Sequence, residues 1–411
     1  MDPADSLTSG TQQALGQSGP GWFPVYPLIN PIRHYAWGSA EFIPHLLDLP
    51  YTGEPHAEVW VGAHPADSSW VNSGLSLAQR VEQDPQAVLG SRVRAQFGDR
   101  LPFLLKILTA ARPLSLQVHP NDEQAAAGFA AEEAAGLPIR DPSRRYHDPF
   151  GKPEMIVALT DFEALSGVRP LAQTREFFDQ LHVNHPDWPG LMQLLVGDDG
   201  AELYLRKVLG DPAWAGGLVE AVAQACRDME SAEARTILDL SVRYPGDSGV
   251  LVAMLLNRIS LKPGEAIYVG PGELHAYLCG AGVEIMGSSD NVLRAGLTSK
   301  FIDPDELLSL TDISPRPPRF VGSDRINGMT HYKCPAQEFR LDAVQLGKDE
   351  TTLTLPCDGP VVVLIVDGSA EVLSSRGAIV HLHRGRAAMV EACAGDAVTL
   401  RGHGTAFVAR A

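Results

Sequence analysis

The sequence predicts a mainly β protein that is interrupted by a block of helices. Before about residue 167 and after about residue 250, the 411-residue chain carries short apolar runs separated by Pro and Gly, a pattern typical of strands. Between these regions the chain is rich in Ala, Leu and Glu, with apolar residues every three to four positions, as in amphipathic helices. Regular short strands joined by Gly turns favour a β-sandwich or a β-barrel.

The individual elements follow from the same periodicities. Strands are predicted at residues 57–61, 113–119, 266–269, 361–368 and 397–400. Helices are predicted near residues 76–84, 122–135, 171–181, 217–229 and 231–240. Because residues 1–21 are rich in Ser, Gly, Gln and Thr and have few large apolar side chains, we expect a disordered tail there.

These elements divide the chain into four parts. The tail, residues 1–21, precedes a discontinuous β domain formed by residues 22–167 and 250–325. Residues 168–249 form a helical insertion within that domain, and residues 326–411 form a C-terminal β domain. The β domain is predicted to be discontinuous because the helix-like pattern of apolar residues gives way again to a strand-like pattern near Val250.

Composition excludes several classes of function. Lys and Arg number 33 against 50 Asp and Glu, so the net charge of −17 argues against nucleic-acid binding. No stretch approaches the roughly 20 apolar residues of a membrane helix, and no secretory signal is present, so we expect a cytoplasmic protein that binds no membrane. The five cysteines are scattered, which argues against a disulfide framework or a thiolate zinc site. A metal would need nitrogen and oxygen ligands.

Four polar side chains stand where a metal could bind. Gln117 and His119 are two residues apart on a predicted strand, so both point to one face. Glu154 begins an apolar run after Lys152-Pro153, where an inward carboxylate is costly unless paired or bound to metal. His275 follows a tight turn. Each also has an ordinary interpretation: a histidine bonded within the core or to a backbone carbonyl, or a glutamate paired with Lys152.

A polar loop supplies candidate anion-binding groups. Residues 288–300 lie between strand-like runs and contain Arg294 and Lys300, six residues apart. The guanidinium fork and the ammonium group both suit phosphate oxygens, although a solvated loop would have the same composition. The chain has no P-loop, dinucleotide-binding or H-E-x-x-H motif.

Six motifs in order along the chain together resemble the type I phosphomannose isomerases. The motifs are Tyr35-Ala36-Trp37-Gly38, Ala57-Glu58-Val59-Trp60-Val61-Gly62-Ala63-His64-Pro65, Leu101-Pro102-Phe103-Leu104-Leu105-Lys106, Leu114-Ser115-Leu116-Gln117-Val118-His119-Pro120, Lys152-Pro153-Glu154 and Asp290-Asn291-Val292-Leu293-Arg294-Ala295-Gly296-Leu297-Thr298. The resemblance runs from about Trp22 to Leu308 and weakens through the C-terminal segment.

The resemblance implies a cupin-type β-barrel, or jelly roll, as the catalytic domain, an inserted α-helical domain and a C-terminal cupin-like β domain. It also implies one divalent metal, normally zinc. Carried over by motif, the ligands are Gln117, His119, Glu154 and His275. Such a nitrogen and oxygen set suits zinc and agrees with the absence of a thiolate pattern.

The implied activity is the interconversion of mannose 6-phosphate and fructose 6-phosphate through a cis-enediol, which feeds mannose and GDP-mannose metabolism. The C1–C2 proton transfer requires a base. We favour Glu284, on the apolar run after His275, with Lys152 as the rival, and sequence does not decide between them. Arg294 matches the catalytic arginine of the family and is assigned to electrostatic stabilisation and substrate orientation.

The remaining expectations concern the phosphate and the assembly state. Ser115, Lys106 and Lys300 match positions that line the phosphate pocket of relatives, and they supply a local positive cluster in an acidic protein. The expected partner is a small phosphosugar, with no nucleic acid, and the chain is expected to be a monomer or a weak homo-oligomer.

Two other functions fit a cupin. One is an oxygenase or epimerase that uses a different metal, but such oxygenases usually present two His and one carboxylate, without the Gln. The other is a sugar-phosphate-binding cupin that has lost its chemistry. A binding relic would have no physical need to keep Glu284, Lys152 and Arg294 together.

Overall fold

The computed structural model describes residues 24–72, 74–395 and 397–411. Within these residues the strands form a ten-stranded sheet, an eight-stranded sheet and a two-stranded hairpin. The predicted tail, residues 1–21, lies outside the described residues. The expectation of a mainly β chain with a helical insertion is confirmed.

The first part of the chain alternates strands with short helices. Its strands are β1 (Val25–Leu28), β2 (Ile32–Arg33), β3 (Glu58–Val61), β4 (Trp70–Asn72), β5 (Leu75–Ser76), β6 (Phe103–Ala110), β7 (Leu116–Val118), β8 (Glu154–Ala158) and β9 (Phe162–Val168). Its helices are α1 (Phe42–Leu47), α2 (Leu77–Gln83), α3 (Pro85–Phe97) and α4 (Asp122–Ala134).

Six helices and four strands follow. The helices are α5 (Leu171–Asp179), α6 (Trp188–Leu194), α7 (Gly200–Gly210), α8 (Pro212–Cys226), α9 (Ala232–Arg243) and α10 (Gly249–Ala253). The strands are β10 (Leu256–Leu261), β11 (Ala266–Val269), β12 (His275–Gly287) and β13 (Leu293–Gly296). None of the helices in the described ranges has the length and apolar character that a membrane span requires.

The last part contains one helix and seven strands. These are α11 (Pro304–Leu310), β14 (Ser323–Ile326), β15 (Met329–Tyr332), β16 (Arg340–Pro356), β17 (Val361–Ser374), β18 (Ile379–His383), β19 (Ala387–Val390) and β20 (Ala397–Arg410). They form the eight-stranded sheet together with β1, which pairs with β19. Strand β1, predicted with the first β domain, is therefore hydrogen bonded to the C-terminal sheet.

Helix starts follow local capping chemistry. Asn121 accepts from the backbone N–H of Gln124, whose side chain accepts from the Asn121 N–H, so this pair starts α4. Ser76 and Gln79 do the same for α2. Pro at the first turn with an Asp cap starts α8, where the Asp211 side chain accepts from the N–H of Trp214.

Two cores position the site. One core joins the two large sheets, with side chains such as Val61, Phe103 and Ile107 packed with Leu364 and Phe407. A second core lies under the helical insertion and includes side chains of β7 and β13. Because these two strands carry Gln117 and Arg294 between their buried residues, the helical layer fixes the backbone that presents both.

Candidate active site

Three strands place polar residues in one row. In the antiparallel pairing, Gln117 on β7 lies opposite His275 on β12 and opposite Arg294 on β13. Directly opposed residues point to the same side of a sheet. The row therefore brings together residues that are up to 177 positions apart in the chain.

His119, Glu154 and His275 form a buried cluster beside this row. His119 Nε2 lies 3.3 Å from Glu154 Oε1, and His275 Nε2 lies 3.4 Å from Glu154 Oε2. One ligand atom from each residue falls within 4.8 Å of the others, which is the only such group of three in the described residues. The side-chain amide of Gln117 lies 3.2 Å from His275 Nε2 and completes the predicted set.

The backbone fixes both imidazoles. His119 Nδ1 lies 2.7 Å from the carbonyl oxygen of Asn291, and His275 Nδ1 lies 2.9 Å from the carbonyl oxygen of Glu273. Hydrogen bonds at Nδ1 leave Nε2 of each ring to accept a metal, the usual arrangement of histidine ligands. Asn291 also donates its side-chain N–H to the Phe150 carbonyl at 2.9 Å, so one residue orients His119 and holds the loop before Glu154.

The cluster fits a divalent metal on its own chemistry. His119 Nε2 and Glu154 Oε2 are buried without a hydrogen-bond partner of ordinary geometry among the described groups. Burial, followed by the charge of Lys152, lowers the pKa of His119 to about 4, so its ring is neutral near pH 7. Although burial raises the pKa of Glu154, His119 and Lys152 hold it well below its usual value. Imidazole nitrogens and a carboxylate are ligands that zinc accepts.

Lys152 forms an ion pair with the glutamate of this cluster. Its Nζ lies 3.3 Å from Glu154 Oε1, and its side chain is almost fully buried. The predicted ion pair with Glu154 and the inward orientation of Glu154 are therefore both observed, because the carboxylate faces Lys152 on one side and the two histidines on the other.

A second buried charge network lies on β3, β6 and β12. Lys106 Nζ lies 3.1 Å from Glu284 Oε2 and 3.3 Å from Glu58 Oε1. Trp60 donates its indole N–H to Glu58 Oε2 at 2.7 Å, and Lys106 Nζ lies 5.3 Å from the centre of the Trp60 ring. The sequence analysis missed Glu58, although it lies in one of the six motifs.

The pKa values of this network follow from burial and pairing. Burial raises the pKa of Glu284, and Lys106 opposes that increase while Glu154 and Glu58 add to it. Burial lowers the pKa of Lys106, but Glu58 and Glu284 outweigh it and raise the pKa overall. Lys106 is therefore charged, and Glu284 is a stronger base than an exposed glutamate.

Strand β12 carries both His275 and Glu284, which the sequence had placed on successive apolar runs. The two residues are nine positions apart, an odd number that would put them on opposite faces of a regular strand. The pairing of β12 with β9 is irregular between Tyr277 and Cys279, where a bulge shifts the register, and Gly280 nearby has a φ of 118°. The irregularity lets both side chains line one cavity.

Tyr277 is a further missed residue. Its hydroxyl is buried beside the cavity without a hydrogen bond of ordinary geometry to the described residues. Burial, followed by the charge of Glu284, raises its pKa well above the usual value. The group is therefore a neutral O–H donor near pH 7.

The cavity has a volume of about 350 Å³ and unpaired cations at its rim. Eight of the ten predicted site residues line it, and the other two, His119 and His275, are fully buried behind Glu154, which both contact. Burial lowers the pKa of Arg294, and burial followed by the charge of Arg294 lowers that of Lys300. Within the described residues neither has an ion-pair partner, whereas Lys106 pairs with Glu58 and Glu284 and Lys152 pairs with Glu154.

The loop that carries Arg294 and Lys300 is anchored from the helical insertion. Asp247 accepts the backbone N–H of Leu297 at 3.0 Å and that of Thr298 at 3.1 Å, and it accepts that of Gly249 at 2.7 Å. Leu297 has a φ of 54°, in the left-handed region that disfavours residues with a Cβ. Asp247 therefore holds a strained turn next to the unpaired cations.

Comparison with known proteins agrees with this geometry. Residues 25–171 match the catalytic domain of type I phosphomannose isomerases. A mannose-6-phosphate isomerase from Escherichia coli (strain K12) is 34% identical over 387 residues, which cover 92% of this chain and 97% of that protein. The chain belongs to the type I phosphomannose isomerases.

Other members of the family extend the similarity to eukaryotes and to solved structures. A mannose-6-phosphate isomerase from Macaca fascicularis is 32% identical over 391 residues, 84% of this chain and 88% of that protein. A zinc-bound crystal structure of a mannose 6-phosphate isomerase superposes with a TM-score of 0.85 at 32% identity, covering 94% of this chain and 99% of that chain. The predicted fold class and family are confirmed.

Proposed function

We propose that this type I phosphomannose isomerase interconverts mannose 6-phosphate and fructose 6-phosphate and uses zinc held by Gln117, His119, Glu154 and His275. The observation that carries the proposal is the convergence of His119, Glu154 and His275 beside a cavity whose rim holds unpaired cations. The activity and the zinc are those named for the relatives above.

The metal and the phosphate define the two ends of the cavity. Zinc held by His119, Glu154, His275 and Gln117 would supply electrostatic stabilisation for negative charge that develops on the sugar oxygens during isomerisation. Arg294 and Lys300 at the rim bind the phosphate, and Ser115 supplies a hydroxyl donor. Arg294 also orients the sugar, because it lies in register with Gln117.

Glu284 is our choice for the base. It takes the proton from C2 of the open-chain aldose and returns it to C1, which passes through a cis-enediol. Its raised pKa increases its strength as a base, and Lys106 stabilises its charged form at 3.1 Å. Lys152 remains the alternative proton carrier, but its Nζ is paired with Glu154.

Lys106 fits a role at the sugar end of the cavity better than the predicted contact with phosphate. Its Nζ already lies between two carboxylates, Glu58 and Glu284, and its side chain is almost fully buried. A cation so paired offers little net charge to a phosphate, whereas it can hold Glu284 in position. We propose this positioning role for Lys106.

The test is a coupled assay of fructose 6-phosphate formed from mannose 6-phosphate, run before chelation, after chelation and after zinc is restored. We expect activity to disappear with the chelator and return with zinc. Inactive protein that is folded and loaded with zinc would refute the activity. We also propose a cytoplasmic monomer or weak homo-oligomer, which cell fractionation and light scattering can check.

The identity of the base has a separate test. Glu284→Gln and Lys152→Met are compared for exchange of the substrate C2 hydrogen with D₂O, with Glu123→Gln on an exposed helix as the control. Loss of exchange in Glu284→Gln, with residual exchange in Lys152→Met, supports Glu284. The reverse pattern would assign the proton transfer to Lys152.

A further inference from the structure

The outer face of the C-terminal sheet carries a second cluster of polar side chains, far along the chain from the site described above. On β17, Ser369 lies opposite His383 of β18 and His403 of β20. Two positions further, Glu371 lies opposite His381 of β18 and Arg401 of β20. The pairing of three strands brings together histidines that lie up to 22 positions apart in the chain.

The register places all of these side chains on one face. Directly opposed residues and residues two apart share a face. The intervening residues Ala370, Val372, Leu382 and Leu400 belong to the buried core on the other face. The polar face forms an open groove of about 390 Å³.

His381 already has the orientation of a metal ligand. Its Nδ1 lies 3.4 Å from Glu371 Oε1, and Glu371 is fixed in turn by the Arg401 Nε–H, which donates to its Oε2 at 2.7 Å. A carboxylate at Nδ1 leaves Nε2 free to accept a metal and makes the ring a better ligand. The side chain of His381 is 67% exposed, so an ion can reach it.

His383 and His403 can supply the other ligands. The strands on the two sides of β17 are about 10 Å apart, and the small Ser369 lies between the two histidines. The three imidazoles do not converge as closely as the buried cluster does, but all are exposed, and exposed side chains change rotamer within nanoseconds. Since Arg401 is paired with Glu371, the groove offers little net charge to an anion.

We propose that this face binds a borderline divalent metal such as Zn²⁺ through His381, His383 and His403, with Glu371 orienting His381. Imidazole nitrogens are the preferred neutral ligands of zinc. In the described structure β18 is hydrogen bonded to β17 and to no other strand. Bound metal would therefore tie this edge strand to β20 across β17.

The experiment measures zinc per chain in full-length protein that is stripped with a chelator, dialysed against Zn²⁺ and freed of excess metal. We expect two equivalents in the wild type and one in the double variant His383→Asn, His403→Asn, which keeps isomerase activity because it is outside the catalytic cavity. The double variant His182→Asn, His185→Asn, which replaces one exposed and one partly exposed histidine of the helical insertion, is the control and keeps two equivalents.

Two further variants make the result independent of the catalytic site. His119→Asn should keep one equivalent, which is lost when His383→Asn and His403→Asn are added. Glu371→Gln should weaken zinc binding at the second site by about tenfold, as loss of an orienting carboxylate does elsewhere. The proposal would be overturned if the wild type bound a single equivalent of zinc or if the double variant kept the second equivalent. Unchanged zinc affinity in Glu371→Gln would also overturn it.

Discussion

Asp247 is expected to control activity although it lies in the helical insertion and outside the lining of the cavity. Its carboxylate accepts the backbone N–H groups of Leu297 and Thr298, in the loop that leads from Arg294 to Lys300. Leu297 is left-handed, a conformation that costs about 1 to 2 kcal/mol for a residue with a Cβ. The two bonds hold the loop against that cost.

The magnitude follows from these two bonds. A hydrogen bond to a charged group contributes about 1.5 to 3 kcal/mol, so Asp247→Ala weakens the loop by about 3 kcal/mol or more. Because 1.4 kcal/mol corresponds to a factor of ten, the loop equilibrium shifts by at least about 100-fold, and we expect kcat/KM to fall by up to about that factor. Asp247→Asn keeps one acceptor oxygen and loses about one bond, so we expect a decrease of about tenfold.

The assay compares kcat/KM of both variants with that of Asp239→Ala, which removes an exposed carboxylate of the same helical insertion. Thermal unfolding shows whether each variant is folded. A kcat/KM for Asp247→Ala within twofold of the wild type would refute the reasoning, because the turn would then hold its shape without the carboxylate. A decrease in Asp239→Ala as large as that in Asp247→Ala would show that the effect is not specific to the loop.

Three further predictions concern charge. Because burial raises its pKa, Glu284 accepts a proton at a higher pH than an exposed glutamate does, so kcat/KM should begin to fall at a correspondingly higher pH on the acid side of a pH–rate profile. Lys106→Met removes the charge that opposes this shift and should move the decrease in kcat/KM to still higher pH. Glu391→Gln should lower the thermal midpoint, since it removes the negative charge that lies 2.7 Å from the buried Arg80 guanidinium, and breaking a buried ion pair costs about 3 to 5 kcal/mol. Lys300→Met should raise KM at least tenfold for the phosphosugar, with a smaller change in kcat, in steady-state kinetics.

Controls for these predictions come from exposed charges. Lys262 and Asp161 form an ion pair in which both side chains are 68% exposed, so replacing either should change stability by less than about 1 kcal/mol. Lys262→Met should leave the pH profile and KM unchanged. The argument for Glu284 would be contradicted if the acid side of the pH profile did not move in Lys106→Met. The argument for Arg80 would be contradicted by an unchanged thermal midpoint in Glu391→Gln, and the argument for Lys300 by an unchanged KM in Lys300→Met.

The sequence predicted most of the long helices but missed several that begin with or contain Pro or Gly, and it also missed α7, although Tyr204, Leu205 and Val208 of that helix recur at helical spacing. Helices α2, α4, α5, α8 and α9 lie where they were expected. Helix α3 was missed because it contains Gly90, whose φ of 73° interrupts the helix, and α6 was missed because it begins with Trp188-Pro189-Gly190. Pro and Gly near a helix start look like loop residues in a sequence.

The candidate site was predictable where its residues lie close together in the chain. The spacing of Gln117 and His119 and the position of Glu154 made these residues candidates, and the resemblance to the family singled them out as ligands together with His275. The structure brings the four side chains together. Glu58 and Asp247 were missed because local spacing does not encode long-range contacts. Glu58 contacts Lys106, and Asp247 contacts the turn at Leu297. The proposal that Lys106 positions Glu284 also depends on strand pairing, whereas a motif alone assigns Lys106 to the phosphate.

Because of the bulge in β12, the position of Glu284 relative to His275 depends on the number of residues between them. His275 and Glu284 share one cavity because a single irregular position changes which face the later residues of the strand occupy. Deleting Leu278 would restore regular alternation and point Glu284 to the opposite side of the sheet. Inserting one residue between His275 and Glu284 would have the same effect. The hydrogen-bonded ladder could survive such a change, and the chain could remain folded with every functional residue still present. The enzyme would then lose activity because Glu284 points to the wrong face of β12. A comparison of residue identities alone would not detect this change.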